Sequence, residues 1–581
     1  MENAAIQAKI KYWTENDYFD PATRQELLAI KDPQELAERF GGDLEFGTAG
    51  IRGILGAGTN RLNIYWIRRV AQGLADTIKE EGPAAVDRGV VIAYDCRRYS
   101  REFALESALV LAANGIKAYL FESLRPTPEL SFAIRHLNTI AGIMITASHN
   151  PKEYNGCKVY WEDGGQVPPE QADRIVAKMK ERDTWVVERI PEREARAKGL
   201  LVDVGEEVDA AYLAEVKEQL LNLPLIREKG PNLTLVFTPL HGTGSRLVPR
   251  LLQDIGFTSL VLVEEQMVPD PEFATVSVPN PEEPEAFQLA LAYAREHRAG
   301  LILACDPDAD RLGVMVRDRE GTYHKLTGNQ IGVLLLYYLL SQRQEQGILP
   351  ADGVVMKSIV STDLAGRVAT AFGVKMQDVL VGFKYIGEQI KLLEERGSGT
   401  FLFGFEESHG YLAGTYARDK DAVAAAALTA EAALYFREVQ GKSLLEVLEE
   451  IYRTHGYYLD EQVALAFPGL EGKERINRLM ANLRAVPGKT LGGVPLESLE
   501  DYLSGKGRRM EDGEEYALSL PQANLLRFRF QGGGYAMARP SGTEPKIRFY
   551  FCVRGQTRRE AEEKLAAVKE EFLQRAGVSS P

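Results

Sequence analysis

Short runs of apolar residues alternate along this chain with longer amphipathic segments, and this alternation limits the possible folds more than any other feature. Residues 90–94 form such a run, residues 102–114 follow as a helix ended by Gly115, and residues 116–121 are apolar again. The same order recurs around strands predicted at residues 142–145, 233–237, 301–305, 354–359 and 379–381. Strands that alternate with helices build parallel α/β sheets. The chain is therefore predicted to be an α/β protein.

The length of the chain predicts several domains. At about 150 residues per domain, 581 residues are enough for roughly three to five. Three similar α/β units recur, and beyond Tyr457 the strands look antiparallel and are followed by a last helix at residues 557–576. The predicted domains are an N-terminal extension with a first α/β domain at 1–205, a second α/β domain at 206–325, a third at 326–456 and an α+β domain at 457–581.

The sequence TASHNP at residues 146–151, here called the serine loop, places a hydroxyl directly after a predicted strand. Pro151 prevents the strand from continuing, and the small polar neighbours allow a sharp turn, so Ser148 can face a cleft. Such a loop can carry a covalent intermediate on Ser148, with His149 and Asn150 as hydrogen-bond donors to an anion. An ordinary polar turn after a strand is the alternative.

The sequence DPDADR, which begins at residue 306 and is here called the metal loop, follows the apolar run at 301–305. Its carboxylates would repel one another unless a cation lay between them, and hard oxygen ligands suit Mg²⁺ or Mn²⁺. The candidate ligands are Asp306, Asp308 and Asp310. An EF-hand does not fit, because its sixth position, normally Gly, is Arg311, and its twelfth, normally Glu, is Arg317. A solvated acidic turn does not explain why the acids follow a strand that looks buried.

Two more loops with chemical potential follow apolar runs. The sequence GFEESHG at 404–410, the sugar loop, has adjacent carboxylates that can accept hydrogen bonds from sugar hydroxyls. The sequence RPSGTEPKIR at 539–548, the phosphate loop, combines exposed backbone N–H groups with three basic side chains that can surround an anion. Either could alone be a surface turn. The sequence HGTG at 241–244 is interpreted as a structural turn.

Taken together, the four loops resemble those of the α-D-phosphohexomutase family, in which a serine loop, an Asp-x-Asp-x-Asp metal loop, a sugar loop and a phosphate loop occur in this chain order. The resemblance extends from FGTAGIRG at 46–53 to Arg548. The sequence GFKYIG at 382–387 is similar to the longer branch with phosphoglucomutases, phosphopentomutases and glucose-1,6-bisphosphate synthases. In shorter members the sugar-loop histidine stands one position later than His409, so no role is carried over to it. The resemblance implies three similar mixed α/β domains in series and a C-terminal α+β domain, arranged around a central cleft.

The resemblance also implies a role for each loop. Ser148 would be the phosphorylated nucleophile and would bind Mg²⁺ together with the three aspartates of the metal loop. The other catalytic residues would be His149, Lys158 and Arg52, and either His149 or Lys158, which matches the family position more clearly, would be the general acid/base. The substrate-binding residues would be Arg311, Lys384, Glu406, Glu407, Ser408, Arg539, Ser541, Gly542, Thr543, Lys546 and Arg548.

The activity that the resemblance implies is that of a phosphoglucomutase. Phosphorylated Ser148 would give its phosphoryl group to the 6-hydroxyl of glucose 1-phosphate, and would take back the C1 phosphoryl group of the glucose 1,6-bisphosphate intermediate, which also serves as activator. Phosphopentomutase, phosphomannomutase and glucose-1,6-bisphosphate synthase remain open, because they share the four loops. A sugar-phosphate sensor would need no nucleophile, and a haloacid-dehalogenase-type phosphatase using Asp306 would leave three loops unexplained.

Charge and cysteine usage restrict the partners and the compartment. The formal net charge of −14 argues against nucleic acid or an anionic membrane as the main partner, whereas a local basic cleft can still hold a small phosphosugar. Four widely spaced cysteines indicate reduced thiols of a cytoplasmic protein. The N-terminus has no features of a signal peptide, and no apolar stretch approaches the ~18 residues of a membrane span. No oligomeric state is predicted.

Overall fold

The computed structural model describes residues 2–47, 50–182, 184–467, 470–485, 488–541 and 546–578. The chain divides into two compact units, each made of several segments. The first unit comprises Met1–Lys325, Gly387–Glu395 and Gly410–Leu434, and the second comprises Leu326–Ile386, Arg396–His409 and Tyr435–Pro581.

The N-terminal extension consists of three helices, α1 (Glu2–Glu15), α2 (Pro21–Ala29) and α3 (Pro33–Phe40). Asp20 caps α2 and Asp32 caps α3, in each case by accepting a backbone N–H of the first turn. Their apolar faces bury an aromatic cluster against the first α/β region. The cluster contains Trp13, Phe19, Leu27, Phe40, Ala57 and Tyr65.

The first sheet has seven strands in the order β1-β2-β6-β5-β3-β4-β7. They are β1 (Phe46–Gly47), β2 (Gly50–Ile54), β3 (Val90–Tyr94), β4 (Ala118–Phe121), β5 (Ala141–Ile145), β6 (Tyr154–Trp161) and β7 (Leu201–Val204). Strands β3, β4, β5 and β7 are parallel, while β6 runs antiparallel to both β5 and β2. The helices are α4 (Ile64–Glu80), α5 (Pro83–Arg88), α6 (Ser100–Ala113), α7 (Thr127–His136), α8 (Pro169–Glu181) and α9 (Glu192–Ala197). Gly115, with φ of +77°, follows the end of α6 as expected.

The second sheet, also in the first unit, has the order β12-β11-β10-β8-β9. Its strands are β8 (Leu235–Thr238), β9 (Leu260–Leu262), β10 (Leu301–Cys305), β11 (Leu312–Arg317) and β12 (Tyr323–Lys325). The central strands β8 and β10 are parallel and fully buried, as their continuous apolar runs predict. The helices are α10 (Glu206–Lys217), α11 (Leu223–Lys229), α12 (Gly244–Ile255), α13 (Glu264–Met267) and α14 (Gln288–His297), with 3₁₀ turns at Gly230–Asn232 and Pro284–Phe287.

The second unit contains three parallel strands in the order β14-β13-β15. They are β13 (Gly353–Ser358), β14 (Lys375–Val379) and β15 (Thr400–Glu406), followed along the chain by β16 (Gly410–Ala413). The strand predicted at 379–381 is wrong in its position, because β14 ends at Val379 and Leu380 already leads into a helix. The helices of this part of the chain are α15 (Gly328–Glu345), α16 (Leu364–Ala371), α17 (Phe383–Arg396), α18 (Ala422–Gln440) and α19 (Leu444–His455).

The last part of the second unit is a largely antiparallel sheet, as the sequence predicts. Its order is β17-β24-β23-β22-β19-β20-β21, and β18 pairs with β19. The strands are β17 (Tyr457–Ala466), β18 (Thr490–Leu491), β19 (Val494–Asp501), β20 (Lys506–Arg509), β21 (Glu515–Ala517), β22 (Leu526–Phe530), β23 (Gly534–Pro540) and β24 (Lys546–Gly555). Helices α20 (Leu470–Ala485) and α21 (Arg558–Ala576) pack on one face of this sheet around Phe572.

These sheets confirm the predicted α/β class. Within the described part of the chain, every helix is too short or too polar to cross a lipid bilayer.

Candidate active site

Ser148 lies just beyond the end of β5 in a turn that presents its hydroxyl. Its φ of +52° is in the left-handed region, which costs a non-glycine residue on the order of 1–3 kcal/mol. The Ser148 amide donates to the Thr146 hydroxyl at 2.8 Å, and Ser148 Oγ donates to Asp306 Oδ2 at 2.7 Å. The serine loop and the metal loop therefore meet at the hydroxyl that the sequence predicts as the nucleophile.

The three aspartates of the metal loop converge at the end of β10. Their side chains are buried, and one oxygen from each lies within 4.8 Å of the others. Ala309 has φ of +51° and turns the chain between the second and third carboxylates. No other acidic, histidine or cysteine cluster of this kind occurs among the residues that the structure describes.

Neighbouring donors hold both oxygens of Asp306, including Oδ2 through Ser148, and one oxygen each of Asp308 and Asp310. Asp306 Oδ1 accepts the amides of Asp310 and Arg311 at 3.1 and 3.0 Å. Asp308 Oδ2 accepts Lys158 Nζ at 2.8 Å and the Thr127 hydroxyl at 3.1 Å. Asp310 Oδ2 lies 3.1 Å from Lys420 Nζ. By contrast, Asp308 Oδ1 and Asp310 Oδ1 are buried and accept no hydrogen bond. A buried acceptor without a partner is costly, and a hard divalent cation would satisfy both oxygens. These residues thus fit a Mg²⁺ site.

The pKa values of the three carboxyls are shifted in different directions because their neighbours differ. Burial, reinforced by the charges of Asp308 and Asp310, raises the pKa of Asp306 well above its usual value. Burial and Asp310 also act to raise the pKa of Asp308, but Lys158 brings it below its usual value. For Asp310 burial is outweighed by Lys420 and Lys158, and its pKa is lowered. Two carboxylates are therefore paired with lysines, and Asp306 is the one that a cation would keep ionised.

Lys158 lies on β6, and its ammonium group contacts two metal-loop aspartates. Lys158 Nζ is 2.8 Å from Asp308 Oδ2 and 3.4 Å from Asp310 Oδ2. Burial acts to lower the pKa of Lys158, but these two carboxylates raise it above its usual value. In this arrangement Lys158 is a cation suited to binding phosphoryl oxygens, which does not favour it as a base.

His149 is next to Ser148, the predicted nucleophile. His149 Nδ1 is 3.1 Å from Ser148 Oγ. Burial and the charges of Arg311 and Arg52 lower the pKa of His149 well below its usual value, so the imidazole is neutral at physiological pH. A neutral ring at this distance can exchange a proton with the serine hydroxyl.

The two arginines predicted around this site have protein partners. Arg52, on β2, donates from Nη1 to Asn150 Oδ1 of the serine loop at 2.9 Å. Arg311 pairs with Glu282, and its Nε is 3.8 Å from Asp310 Oδ1. Both guanidinium groups are therefore held next to the loops that carry Ser148 and the aspartates.

The HGTG sequence after β8 packs against the main chain of the metal loop. The amide of Thr243 donates to Pro307 O at 2.8 Å. A Cβ atom at Gly242 would lie 2.3 Å from Pro307 Cα, and one at Gly244 would lie 2.4 Å from Cys305 Sγ. This contact requires glycine and agrees with the interpretation of HGTG as a structural turn.

In the second unit, the sugar loop is fixed by donors to both of its glutamates. Glu406 Oε1 accepts the amide of Gly382 at 2.8 Å. Glu407 Oε2 accepts the hydroxyls of Ser358 and Ser361 at 2.8 and 3.3 Å. Ser358 and Ser361 thus hold Glu407 from the end of β13.

The remaining predicted residues of this region are half-buried. Ser408 and Lys384 are both partly exposed. Lys384 Nζ lies 5.0 Å from the ring centroid of Tyr385. The sequence GFKYIG therefore places Lys384 at the first turn of α17, after the Gly382 amide that Glu406 binds.

The phosphate loop, also in the second unit, joins β23 to β24. Arg539 and Arg548 are direct cross-strand partners, and the Ser541 amide donates to Lys546 O at 2.8 Å. Like charges directly opposite each other are destabilising, and an anion between them would remove the repulsion. The predicted residues Gly542 and Thr543 lie outside the described residues.

Three residues around the serine and metal loops were missed in the sequence. Thr127 follows the parallel strand β4, and Arg97 follows the parallel strand β3. Both therefore lie beyond the carboxyl ends of the parallel strands, as Ser148 does, which is where ligand sites form in such sheets. Lys420 precedes α18 in the sequence RDKD and also lies 3.1 Å from Asp419 Oδ1. Its alternating charges were a signal of buried ion pairs.

Models of the phosphoglucomutase/phosphomannomutase family match three consecutive segments of the chain. The α/β/α domain I model matches residues 43–185, the domain II model residues 210–321 and the domain III model residues 327–455. These matches confirm the predicted series of three α/β domains. The exact boundaries of the four predicted domains stay a prediction.

Proteins of known name align with nearly the whole chain. The phosphoglucomutase of Staphylococcus haemolyticus is 41% identical over 516 residues, which cover 88% of this chain and 91% of that protein. The phosphoglucomutase of Staphylococcus saprophyticus is 38% identical over 542 residues, with coverage of 93% and 96%.

Solved structures share the fold. The exocytosis-sensitive phosphoprotein pp63/parafusin of Paramecium, in its open form, superimposes with a TM-score of 0.69 at 18% identity, covering 92% of this chain and 96% of that chain. A phosphoglucomutase/phosphomannomutase family protein of Burkholderia thailandensis gives a TM-score of 0.66 at 20% identity, with coverage of 92% and 98%.

Proposed function

Because the chain belongs to the α-D-phosphohexomutase family, of which the phosphoglucomutases and phosphomannomutases are members, we propose that it is a phosphoglucomutase that interconverts glucose 1-phosphate and glucose 6-phosphate. The observation that carries this proposal is the hydrogen bond from Ser148 Oγ to Asp306, next to two buried carboxylate oxygens that accept no hydrogen bond. A nucleophile beside a cluster of hard oxygen ligands that fits a divalent cation is the arrangement that phosphoryl transfer requires.

In the first transfer, the Oγ–P bond of phosphorylated Ser148 breaks as the phosphoryl group bonds to the sugar 6-oxygen. The proton of the 6-hydroxyl passes to solvent, and the imidazolium form of His149 gives a proton from Nδ1 to Ser148 Oγ, 3.1 Å away. We assign this exchange to His149 because its neutral ring accepts the same proton from Ser148 Oγ whenever the serine is phosphorylated, so each half of the cycle balances. The second transfer reverses these steps at the C1 phosphate of glucose 1,6-bisphosphate.

The charged residues around Ser148 stabilise the phosphoryl group during transfer. When bound by Ser148 and the three aspartates, Mg²⁺ supplies positive charge that offsets the charge on the equatorial oxygens. Lys158 and Lys420, each within 3.5 Å of Asp310 Oδ2, keep two of the aspartates ionised and can contact phosphoryl oxygens. Arg52 and Arg311 add positive charge at the same place.

In the second unit, we assign the sugar loop to the sugar hydroxyls and the phosphate loop to the phosphate that is not being transferred. Glu406, Glu407 and Ser408 would bind hydroxyl groups, with Lys384 as a further contact. The basic pair Arg539 and Arg548, which are direct cross-strand partners, would bind the phosphate together with Ser541, Gly542, Thr543 and Lys546.

Intact-mass measurement tests the nucleophile. Wild-type protein incubated with glucose 1,6-bisphosphate should gain one phosphoryl group, about 80 Da, and Ser148→Ala should gain none. Mutase activity of Ser148→Ala should fall by several orders of magnitude. A label that persists in Ser148→Ala, or that maps to Asp306, would contradict the serine mechanism.

A substrate comparison tests the sugar. Purified protein with Mg²⁺ and catalytic glucose 1,6-bisphosphate is assayed on glucose 1-phosphate, mannose 1-phosphate and ribose 1-phosphate. We expect the highest kcat/KM on glucose 1-phosphate. A higher value on ribose 1-phosphate or mannose 1-phosphate would assign the chain to phosphopentomutase or phosphomannomutase, and bisphosphate formation from a separate phosphoryl donor would assign it to bisphosphate synthase.

A further inference from the structure

The guanidinium group of Arg97 binds four main-chain carbonyls, three in the serine loop and one at the start of β6. Arg97 Nη2 donates to the carbonyl oxygens of Ser148 and Asn150 at 2.6 and 2.5 Å. Arg97 Nη1 donates to those of Pro151 and Tyr154 at 2.8 and 3.0 Å. These bonds span the segment that runs from the nucleophile to the start of β6, and they leave no donor of either terminal nitrogen pointing to the reacting oxygen.

Arg97 is itself held rigidly. Its side chain and that of Asp95 are fully buried, with Arg97 Nε 3.4 Å from Asp95 Oδ2. Asp95 Oδ1 accepts the amide of Arg97 at 2.9 Å and the hydroxyl of Ser100 at 2.7 Å. The ring of Phe273 covers the guanidinium at 5.0 Å, which adds a cation–π contact. A buried arginine with these contacts has a single orientation.

This orientation bears on the strained turn at Ser148. The left-handed φ of +52° turns the Ser148 carbonyl towards Arg97 while Ser148 Oγ reaches Asp306 Oδ2. Hydrogen bonds from a charged donor are stronger than those between neutral groups, so four of them can offset the conformational cost of such a turn.

We propose that Arg97 is a positioning residue, which holds the serine loop in the turn that aims Ser148 Oγ at the metal loop. This inference rests on the proposed role of Ser148 as the nucleophile. Arg97 touches neither the reacting oxygen nor the metal-loop carboxylates, so it acts through the backbone. A displacement of about 1 Å in the nucleophile can reduce the rate of transfer about a hundredfold.

Lysine is the informative replacement for Arg97, because it keeps the positive charge but lacks the planar guanidinium that binds four carbonyls at once. The guanidinium is a planar fork whose two terminal nitrogens each reach two carbonyl groups, whereas an ammonium group offers three donors from one point. Arg97→Lys therefore preserves the positive charge near the site and removes the simultaneous binding of four carbonyls. The matched control is Arg68→Lys, since Arg68 is also buried and pairs with Glu106 at 2.9 Å, away from the serine loop.

The experiment measures the single-turnover rate at which glucose 1,6-bisphosphate phosphorylates Ser148. We expect this rate and kcat to fall about ten- to hundredfold in Arg97→Lys, with KM for glucose 1-phosphate unchanged and the affinity for Mn²⁺ reduced no more than in Ser148→Ala, because Ser148 is itself a proposed ligand. Arg68→Lys should load Ser148 at the wild-type rate, even where both variants lose thermal stability. A wild-type loading rate in Arg97→Lys would overturn the proposal, as would a loss of Mn²⁺ affinity greater than that of Ser148→Ala.

The same labelling experiment distinguishes failure of the proposed function from failure of the positioning role. If wild-type protein is not labelled on Ser148 at all, the proposed function fails, whereas labelled wild type with an equally fast Arg97→Lys rejects only the positioning role. If Arg97→Lys does not fold, Phe273→Leu replaces it, because this change removes the ring that covers the guanidinium and so loosens its hold on the four carbonyls. Its loading rate should fall a few-fold with unchanged KM, and a wild-type rate would count against the proposal.

Discussion

Thr127 provides a direct test of how the metal loop is organised, because its side chain contacts a metal-loop aspartate through a single hydroxyl. The Thr127 hydroxyl donates to Asp308 Oδ2 at 3.1 Å, and its amide separately donates to Asp308 O at 2.9 Å. Thr127→Val removes the first bond and keeps the second. With the hydroxyl in place, Asp308 Oδ2 is occupied by two donors, and Oδ1 is left to face the cation.

The expected loss follows from the bond that is removed. A hydrogen bond to a charged acceptor contributes about 1.5–3 kcal/mol, and the lower end applies because Lys158 still holds the same oxygen at 2.8 Å. A loss of about 1.5 kcal/mol corresponds to a Kd for Mg²⁺ or Mn²⁺ that is about tenfold higher. Titration calorimetry of the unphosphorylated protein measures this Kd without relying on turnover.

Two variants control for the loss of a buried hydroxyl. Thr127→Ser keeps the hydroxyl and should keep the metal affinity. Thr77→Val makes the same change at a buried threonine whose hydroxyl donates to Gly73 O at 2.8 Å within α4, and should leave metal affinity unchanged. Equal affinity in Thr127→Val and wild type, or an equal loss in Thr127→Ser, would refute the reasoning.

Three other predictions concern separate parts of the chain. Asp308→Asn should lower activity and metal affinity together, with partial recovery at high Mg²⁺, because one anionic ligand is lost; an unchanged metal requirement would place the cation elsewhere. Arg539→Ala should raise KM for both glucose 1-phosphate and glucose 6-phosphate, by about ten- to a hundredfold, and equal KM values would make Arg539 only a turn residue. Burial raises the pKa of Asp460 from 3.8 to about 6, so its ionised form destabilises the folded chain as pH rises through this range. Asp460→Asn should therefore raise the melting temperature more at pH 8 than at pH 4, and a pH-independent effect would contradict this assignment.

The sequence was sufficient where local pattern and chemistry coincide. Ser148 and the metal-loop aspartates directly follow continuous apolar runs, and both runs are buried strands, β5 and β10. The strand predicted at 379–381 failed because β14 is an edge strand with the polar sequence KMQDV, so the apolar residues that follow it looked more strand-like.

The residues that the sequence did not reveal act through contacts distant along the chain. Thr127 meets Asp308 across 181 positions, and Lys158 meets the same residue across 150. Lys158 was identified from the family resemblance and from its place on the segment that follows the serine loop, whereas nothing in the neighbourhood of Thr127 or Arg97 predicts what each contacts. Their contacts depend on how strands are ordered in the sheet, which the alternation of apolar and polar residues does not specify.

The close packing of Gly242 against Pro307 makes folding and metal binding sensitive to the same substitutions. Any larger residue at position 242 would have to move the backbone of the metal loop, because a Cβ atom there would lie 2.3 Å from Pro307 Cα. A screen for folding and a screen for metal binding would therefore both select against the same substitutions at this position. Tolerance to mutation at Gly242 is consequently set by the metal loop, although the glycine itself offers no side chain to any ligand.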